Sequence, residues 1–144
     1  MRWNDTVFVS AEWRHLVMLN YEVDPAILAP YIPAGTTLDL WQGKALVSLV
    51  GFLFLNTRLL GIPVPYHRNF EEVNLRFYVK QGTRRGVCFI KEIVPRWSIA
   101  YLARKLYNEK YVSTSMRHRI EHAENWISVD YEWKWQDRWQ KLGA

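Results

Sequence analysis

Glu72, Asn74, Arg76 and Tyr78 stand at every second position of the run Phe70 to Lys80. In an extended strand this spacing sets a carboxylate, an amide, a guanidinium and a phenol on one side. Together they supply an acid or base, several hydrogen-bond donors and acceptors, and a cation able to grip a carboxylate at two points. These four are the candidate ligand-binding residues. The intervening Glu71, Val73, Leu75, Phe77 and Val79 are mostly apolar and suited to a core. Pattern alone leaves two readings of the polar side open: it lines a cavity, or it faces water as one side of an antiparallel sheet does.

A second constellation is His118-Arg119-Ile120-Glu121-His122, which matches the H-x-x-E-H arrangement of some zinc peptidases. That chemistry needs a helix, which brings both histidines to one face. Here Val112, Ser113, Thr114 and Ser115 favour a strand, where residues four apart lie about 13 Å from each other, too far for one metal ion. No metal site is expected. His15 lies among the apolar positions of the first strand and reads as a hydrogen-bonded core histidine, and His67 lies in an irregular segment. No nucleophile elbow or phosphate-cradling glycine loop occurs, so hydrolase and nucleotide-binding readings lack support and no cofactor is expected.

The elements that must position these residues follow from periodicity. Trp13 to Val23 alternates as a strand, with Trp13, His15, Val17, Leu19, Tyr21 and Val23 on one face. Asp24-Pro25 then caps a short helix over Pro25 to Tyr31, closed by Pro33-Ala34-Gly35. Thr36 to Trp41 and Lys44 to Leu55 flank Gln42-Gly43 as a hairpin. The segment Asn56 to Asn69, with Gly61, Pro63 and Pro65, reads as a loop over the surface or over a pocket mouth, the best lid candidate. Val87 to Val94 is a further strand, and Ile99, Leu102, Ala103 and Leu106 recur at helical spacing within Trp97 to Asn108. Tyr111 to Ile120 and Trp126 to Trp135 close the series as strands. The expected class is α+β, mainly antiparallel β, in a single domain spanning residues 1–144.

Composition fits that expectation. With 144 residues, 49% of them hydrophobic, and eight Trp, eight Tyr and six Phe, the chain can fill one core but not two. The nearly uncharged stretch Ala45 to Thr57 is too short for a membrane helix, and Trp3, Asn4 and Asp5 stand where a signal peptide needs an apolar run. A cytoplasmic location without membrane partners is expected. The single Cys88, inside an apolar run, fits a reducing compartment and a packed side chain. The net charge of +5 raises nucleic acid as a partner, with Arg84, Arg85, Arg117 and Arg119 as the contacts, but basic residues fall in short pairs interrupted by acids, which disfavours that reading.

Several segments in order resemble the YqjF-like family, domain of unknown function 2071. They are Tyr21-Glu22-Val23-Asp24-Pro25 with Tyr31-Ile32-Pro33-Ala34-Gly35, then Gly43 to Val50, then Phe70-Glu71-Glu72-Val73-Asn74-Leu75-Arg76-Phe77-Tyr78-Val79, Gly86-Val87-Cys88-Phe89, and Ala100 to Tyr111. The family is similar to acetoacetate decarboxylases, and the resemblance implies a β-cone or barrel with an interior pocket and the helix near 97–108 packed alongside. It also implies that Glu72 contributes a carboxylate to that pocket, and that the ligand is small and polar or carboxylate-bearing. Those decarboxylases use a Schiff-base lysine and carry two consecutive lysines after the helix. The matching region here reads Glu109-Lys110-Tyr111, with Tyr111 at the nucleophile's position and Lys110 one residue out of register, turned to the other face of a strand. Glu72 and Lys110 are therefore weak catalytic candidates, and decarboxylase activity is not expected. The family usually continues past the position of Ala144. A shortened or partial member would leave a C-terminal sheet edge, with Trp133, Trp135 and Trp139, available to another copy; the alternative is that these residues close the molecule's own core.

Overall fold

In the computed structural model, which describes residues 7, 9–96 and 110–144, period-two alternation becomes strand almost throughout. Seven strands form one sheet: β1 (Val9–Val23), β2 (Thr37–Leu38), β3 (Ala45–Leu59), β4 (Ile62–Pro63), β5 (Phe70–Gln81), β6 (Arg84–Val94) and β7 (Tyr111–Ser113). A second sheet holds β8 (Met116–His122), β9 (Ile127–Trp135) and β10 (Arg138–Gly143). The main path of the large sheet runs β1-β3-β5-β6-β7, antiparallel except for the parallel β6/β7 pair. The class is thus α+β and mainly antiparallel. Among the described residues the sheet does not close into a barrel. The longer helix expected over 97–108 lies outside the described residues.

Cross-strand pairing sorts the large sheet into two faces. Val17, Leu53, Val73 and Ile93 project to one side and meet Val129, Tyr131, Trp133 and Leu142 of the small sheet. Farther along the same side, Ala45, Phe77 and Val79 are covered by Leu28 and Ile32. Leu28 belongs to α1 (Pro25–Leu28), where Asp24 accepts the Ala26 N–H at 2.9 Å and Pro25 occupies the first turn; a 3₁₀ turn, Ala29–Tyr31, completes the expected short helix. Gly51 is required where Tyr131 lies flat on β3, since a Cβ there would come within 2.7 Å of the ring. Trp133 is buried in this core, while Trp139 stays exposed beneath the Arg117 guanidinium, 4.3 Å from its ring.

Three sequence expectations change. The alternation of β1 breaks between Arg14 and Val17, where two residues oppose Phe52 alone and His15 adopts φ 54°. Such a bulge shifts the phase by one. Trp13 therefore joins Phe52 and Phe54 on the opposite face from Val17. The expected hairpin around Gln42-Gly43 is a tight turn, with φ 49° and 81°, but the arm before it leaves β3 and pairs with β5 instead. The segment expected as a loose loop is partly a second hairpin: β3 continues to Leu59, turns at Leu60 and Gly61, and returns as β4. Its base is tied by Asn56 N–H to Asn69 and by Thr57 N–H to the Arg68 carbonyl.

Candidate functional site

On the face of the large sheet opposite the small one, register brings a polar group together from five strands. β3 pairs Ser48 with Arg76, Val50 with Asn74 and Phe52 with Glu72 of β5. β1 adds Asn20 opposite Ser48, β6 adds Glu92 opposite Asn74, and β7 sets Tyr111 beside Glu92. Residues directly opposite share a face, so all of these side chains project together. Glu72, Asn74 and Glu92 are 3%, 2% and 3% exposed, and Ser48 is fully buried, so this part of the sheet does not face water. Arg76 and Tyr78 are half-buried.

The hydrogen bonds fall into two groups. Glu72 accepts from the Asn74 amide at 3.1 Å and from the Tyr111 hydroxyl at 3.4 Å, which orient the carboxylate. Nearby, Ser48 Oγ lies 2.5 Å from both Asn20 Oδ1 and the Tyr78 hydroxyl. Serine has one proton; given to Asn20, it leaves Ser48 to accept from Tyr78. The phenol oxygen then keeps lone pairs for another donor. Between the groups, Asn74 Oδ1 and Arg76 Nε are buried without a hydrogen-bond partner among the described residues, while Arg76 Nη2 rests 3.7 Å from Met18 Sδ. Buried polar atoms are nearly always satisfied, and exceptions mark a strained or functional position.

All four sequence-derived candidates, Glu72, Asn74, Arg76 and Tyr78, lie in this cluster. Asn20, Ser48, Glu92 and Tyr111 join them by pairing. Lys110 does not. It is exposed, its ammonium lies 5.0 Å from the centre of the Tyr31 ring, and its carbonyl accepts the Glu92 N–H. Tyr31 follows the helix that covers the opposite face of the sheet.

The remaining candidates sit elsewhere. His118 and His122 are on β8, in strand conformation; His118 Nδ1 is 2.7 Å from Glu71 Oε1, and the His122 ring packs edge-on to His15 at 6.0 Å. The His15 carbonyl accepts from the Tyr131 hydroxyl at 2.7 Å, which anchors the β1 bulge to the small sheet. Burial first, and then the Glu71 charge, push the Tyr131 phenol well above the ordinary tyrosine range, so it stays a neutral donor. The arginines considered for nucleic acid are largely engaged: Arg85 with Asp39 at 2.5 Å, Arg117 with Glu132 and Arg119 with Glu121. Arg117, His118 and Arg119 line a depression of about 380 Å³ with Asp130, Glu132 and Lys141, whose charges alternate in sign. Alternating charge gives no field that would gather phosphates.

A family model described as an uncharacterized conserved protein, DUF2071, matches residues 10–142. The chain belongs to the DUF2071 family. Its relative in Bacillus subtilis, Uncharacterized protein YqjF, is 28% identical over 120 residues, covering 83% of this chain and 48% of that protein. This DUF2071 chain thus spans about half the length of the curated relative it matches. Among solved structures it is similar to an acetoacetate decarboxylase from Legionella pneumophila, with a TM-score of 0.69 at 13% identity over 96% of this chain and 51% of that one. An acetoacetate decarboxylase-like enzyme from Sphingomonas wittichii RW1 gives 0.65 at 17% identity, over 89% and 53%. The enduracididine biosynthesis enzyme MppR, solved with pyruvate, gives 0.63 at 14% identity, over 86% and 51%. At these identities the likeness establishes an acetoacetate decarboxylase-like fold.

Proposed function

We propose that this chain binds a small polar ligand carrying a carboxylate, on the face built from Glu72, Asn74, Arg76 and Tyr78, and that it does so without a Schiff-base lysine. The observation that carries the reading is the pair of unsatisfied buried atoms, Asn74 Oδ1 and Arg76 Nε, on the same face as the buried Glu72. An orphaned amide oxygen and guanidinium nitrogen cost free energy, and a ligand offering a donor and a carboxylate would satisfy both. The pyruvate complex of MppR, a protein of similar fold, supports a ligand of this size and charge. Lys110, exposed against Tyr31, supports the absence of imine chemistry.

Calorimetric titration with pyruvate and acetoacetate tests the binding. Saturable heat with the native chain, lost with Arg76→Met, is expected; binding that survives Arg76→Met unchanged would overturn the site. Borohydride trapping with acetoacetate tests the second clause. No adduct is expected, and a covalent adduct on Lys110 would defeat it.

A second reading has specific support from the Glu72 environment. A buried carboxylate held by an amide and a phenol has the surroundings of a general acid or base, with Arg76 as the anchor for a keto or hydroxy acid. Under that reading Glu72→Gln abolishes turnover of such an acid while leaving its binding within about threefold. Native protein that binds the acid and returns it unchanged rejects this enzyme reading and leaves the binding reading intact.

A further inference from the structure

The stretch Val17–Val23 of β1 is an unbroken ladder against β3, from Val17 opposite Gly51 to Val23 opposite Ala45. Its other edge has no strand partner among the described residues. Side chains on both faces of this edge stand open: Met18 is 43% exposed on the polar face, and Leu19 and Tyr21 are 40% and 52% exposed on the other. Natural sheets guard free edges with charges, bulges or prolines, because unpaired N–H and C=O groups are a template for another strand. Here the irregularities fall before Val17, and the single charge in the stretch, Glu22, is neutralised by Lys44 at 2.6 Å. The C-terminal edge named from the sequence is better guarded, since β10 presents Arg138, Gln140 and Lys141 to solvent.

We infer that Val17–Val23 is an interaction surface whose partner is the same stretch of a second copy, paired antiparallel about a two-fold axis at Asn20. That register uses the whole regular stretch. It sets Val17 opposite Val23, Leu19 opposite Tyr21 and Met18 opposite Glu22, so apolar groups meet on one face and Glu22 avoids its own copy. An axis at Glu22 would set the two carboxylates against each other. Pairing of this kind is isologous and closes after two copies, so it gives a dimer and not a fibre. It joins the five-strand paths of both copies into one sheet with both polar faces on the same side. Asn20, which holds Ser48 and through it Tyr78, then lies beside its counterpart, at the border of both polar clusters.

The test uses the whole chain. Sedimentation equilibrium of the native protein is expected to show a dimer, and Leu19→Lys, a charge on an exposed edge position, to weaken it about tenfold or more with an unchanged circular dichroism spectrum. In a Cys88→Ser background, Asn20→Cys is expected to form a disulfide-linked dimer on mild oxidation, since facing residues in an antiparallel pair come within about 5.5 Å. Glu124→Cys, exposed on the β8/β9 turn, is the control that should remain uncrosslinked. A monomeric native protein overturns the inference. So does a dimer indifferent to Leu19→Lys, or crosslinking at position 124 as readily as at position 20.

Discussion

The two faces of the large sheet are built from the same strands and solve opposite problems. On the packing side, Val73, Phe77 and Ile93 meet complementary surfaces, and the Tyr131 hydroxyl packed there has a partner in the His15 carbonyl. On the other side, alternating positions of β5 bury Glu72 and Asn74 and leave Asn74 Oδ1 and Arg76 Nε unsatisfied. The first face is arranged for stability, and the second holds polarity that stability does not require. A region that keeps uncompensated polar atoms where apolar ones would pack is a place to look for a ligand.

The contrast is broken most directly at Tyr131. Tyr131→Ala removes the largest fully buried side chain and the bulge anchor together, and should cost about 3–5 kcal/mol, read as a lower midpoint in urea unfolding. Gly51→Ala attacks the same contact from β3. Because the hydroxyl bond to His15 holds the ring in place, the added methyl group cannot push it aside, and a loss of about 1–3 kcal/mol is expected in the same measurement. If this substitution were neutral, the close packing of Tyr131 on β3 would be wrong.

Arg76→Met sharpens the comparison from the other side. It keeps the unbranched stem of the side chain and deletes the guanidinium with its unsatisfied Nε, so unfolding stability should change by less than about 1 kcal/mol while affinity for a small carboxylate falls tenfold or more. A large loss of stability instead would make Arg76 part of the structure and not of a site.

The smallest effect concerns the β3/β4 hairpin. Burial, and then the Arg96 cation, holds His67 below the ordinary histidine value, so the fold favours the neutral ring. The associated stability is complete above the ordinary histidine pKa and is lost as pH falls through the lowered one. A proton NMR titration of His67 should give a midpoint below 6.5, moving up in Arg96→Gln. A midpoint at or above the ordinary value would remove the reason to treat this hairpin as acid-sensitive.

Much of the fold and half of the candidate site were legible in the sequence. The strict alternation of Phe70 to Lys80 sorted β5 into two faces, and Asp24-Pro25 marked the helix start. Asn20, Ser48 and Glu92 were missed; Ser48 left a trace, a lone polar residue inside the apolar run of β3, whereas Asn20 and Glu92 stand close to other polar residues, Glu22 and Lys91. That trace identifies an unusual position but not its partner. The bulge at His15, which turns Trp13 away from Val17, left none, because it depends on the Tyr131 hydroxyl reaching β1 from a strand more than a hundred positions later.

The sequence by itself determined which β5 side chains travel together, because period two is a property of each strand alone: Glu72, Asn74, Arg76 and Tyr78 share a face in any sheet that holds them. Tertiary structure decided the rest. Which side of the sheet is covered by the small sheet, that β2 pairs with β5, that Tyr111 and not Lys110 reaches Glu72, and that β1 is the outermost strand of the sheet among the described residues are all matters of register between distant segments. Register is set by the sum of many weak cross-strand contacts, and no local pattern carries that sum.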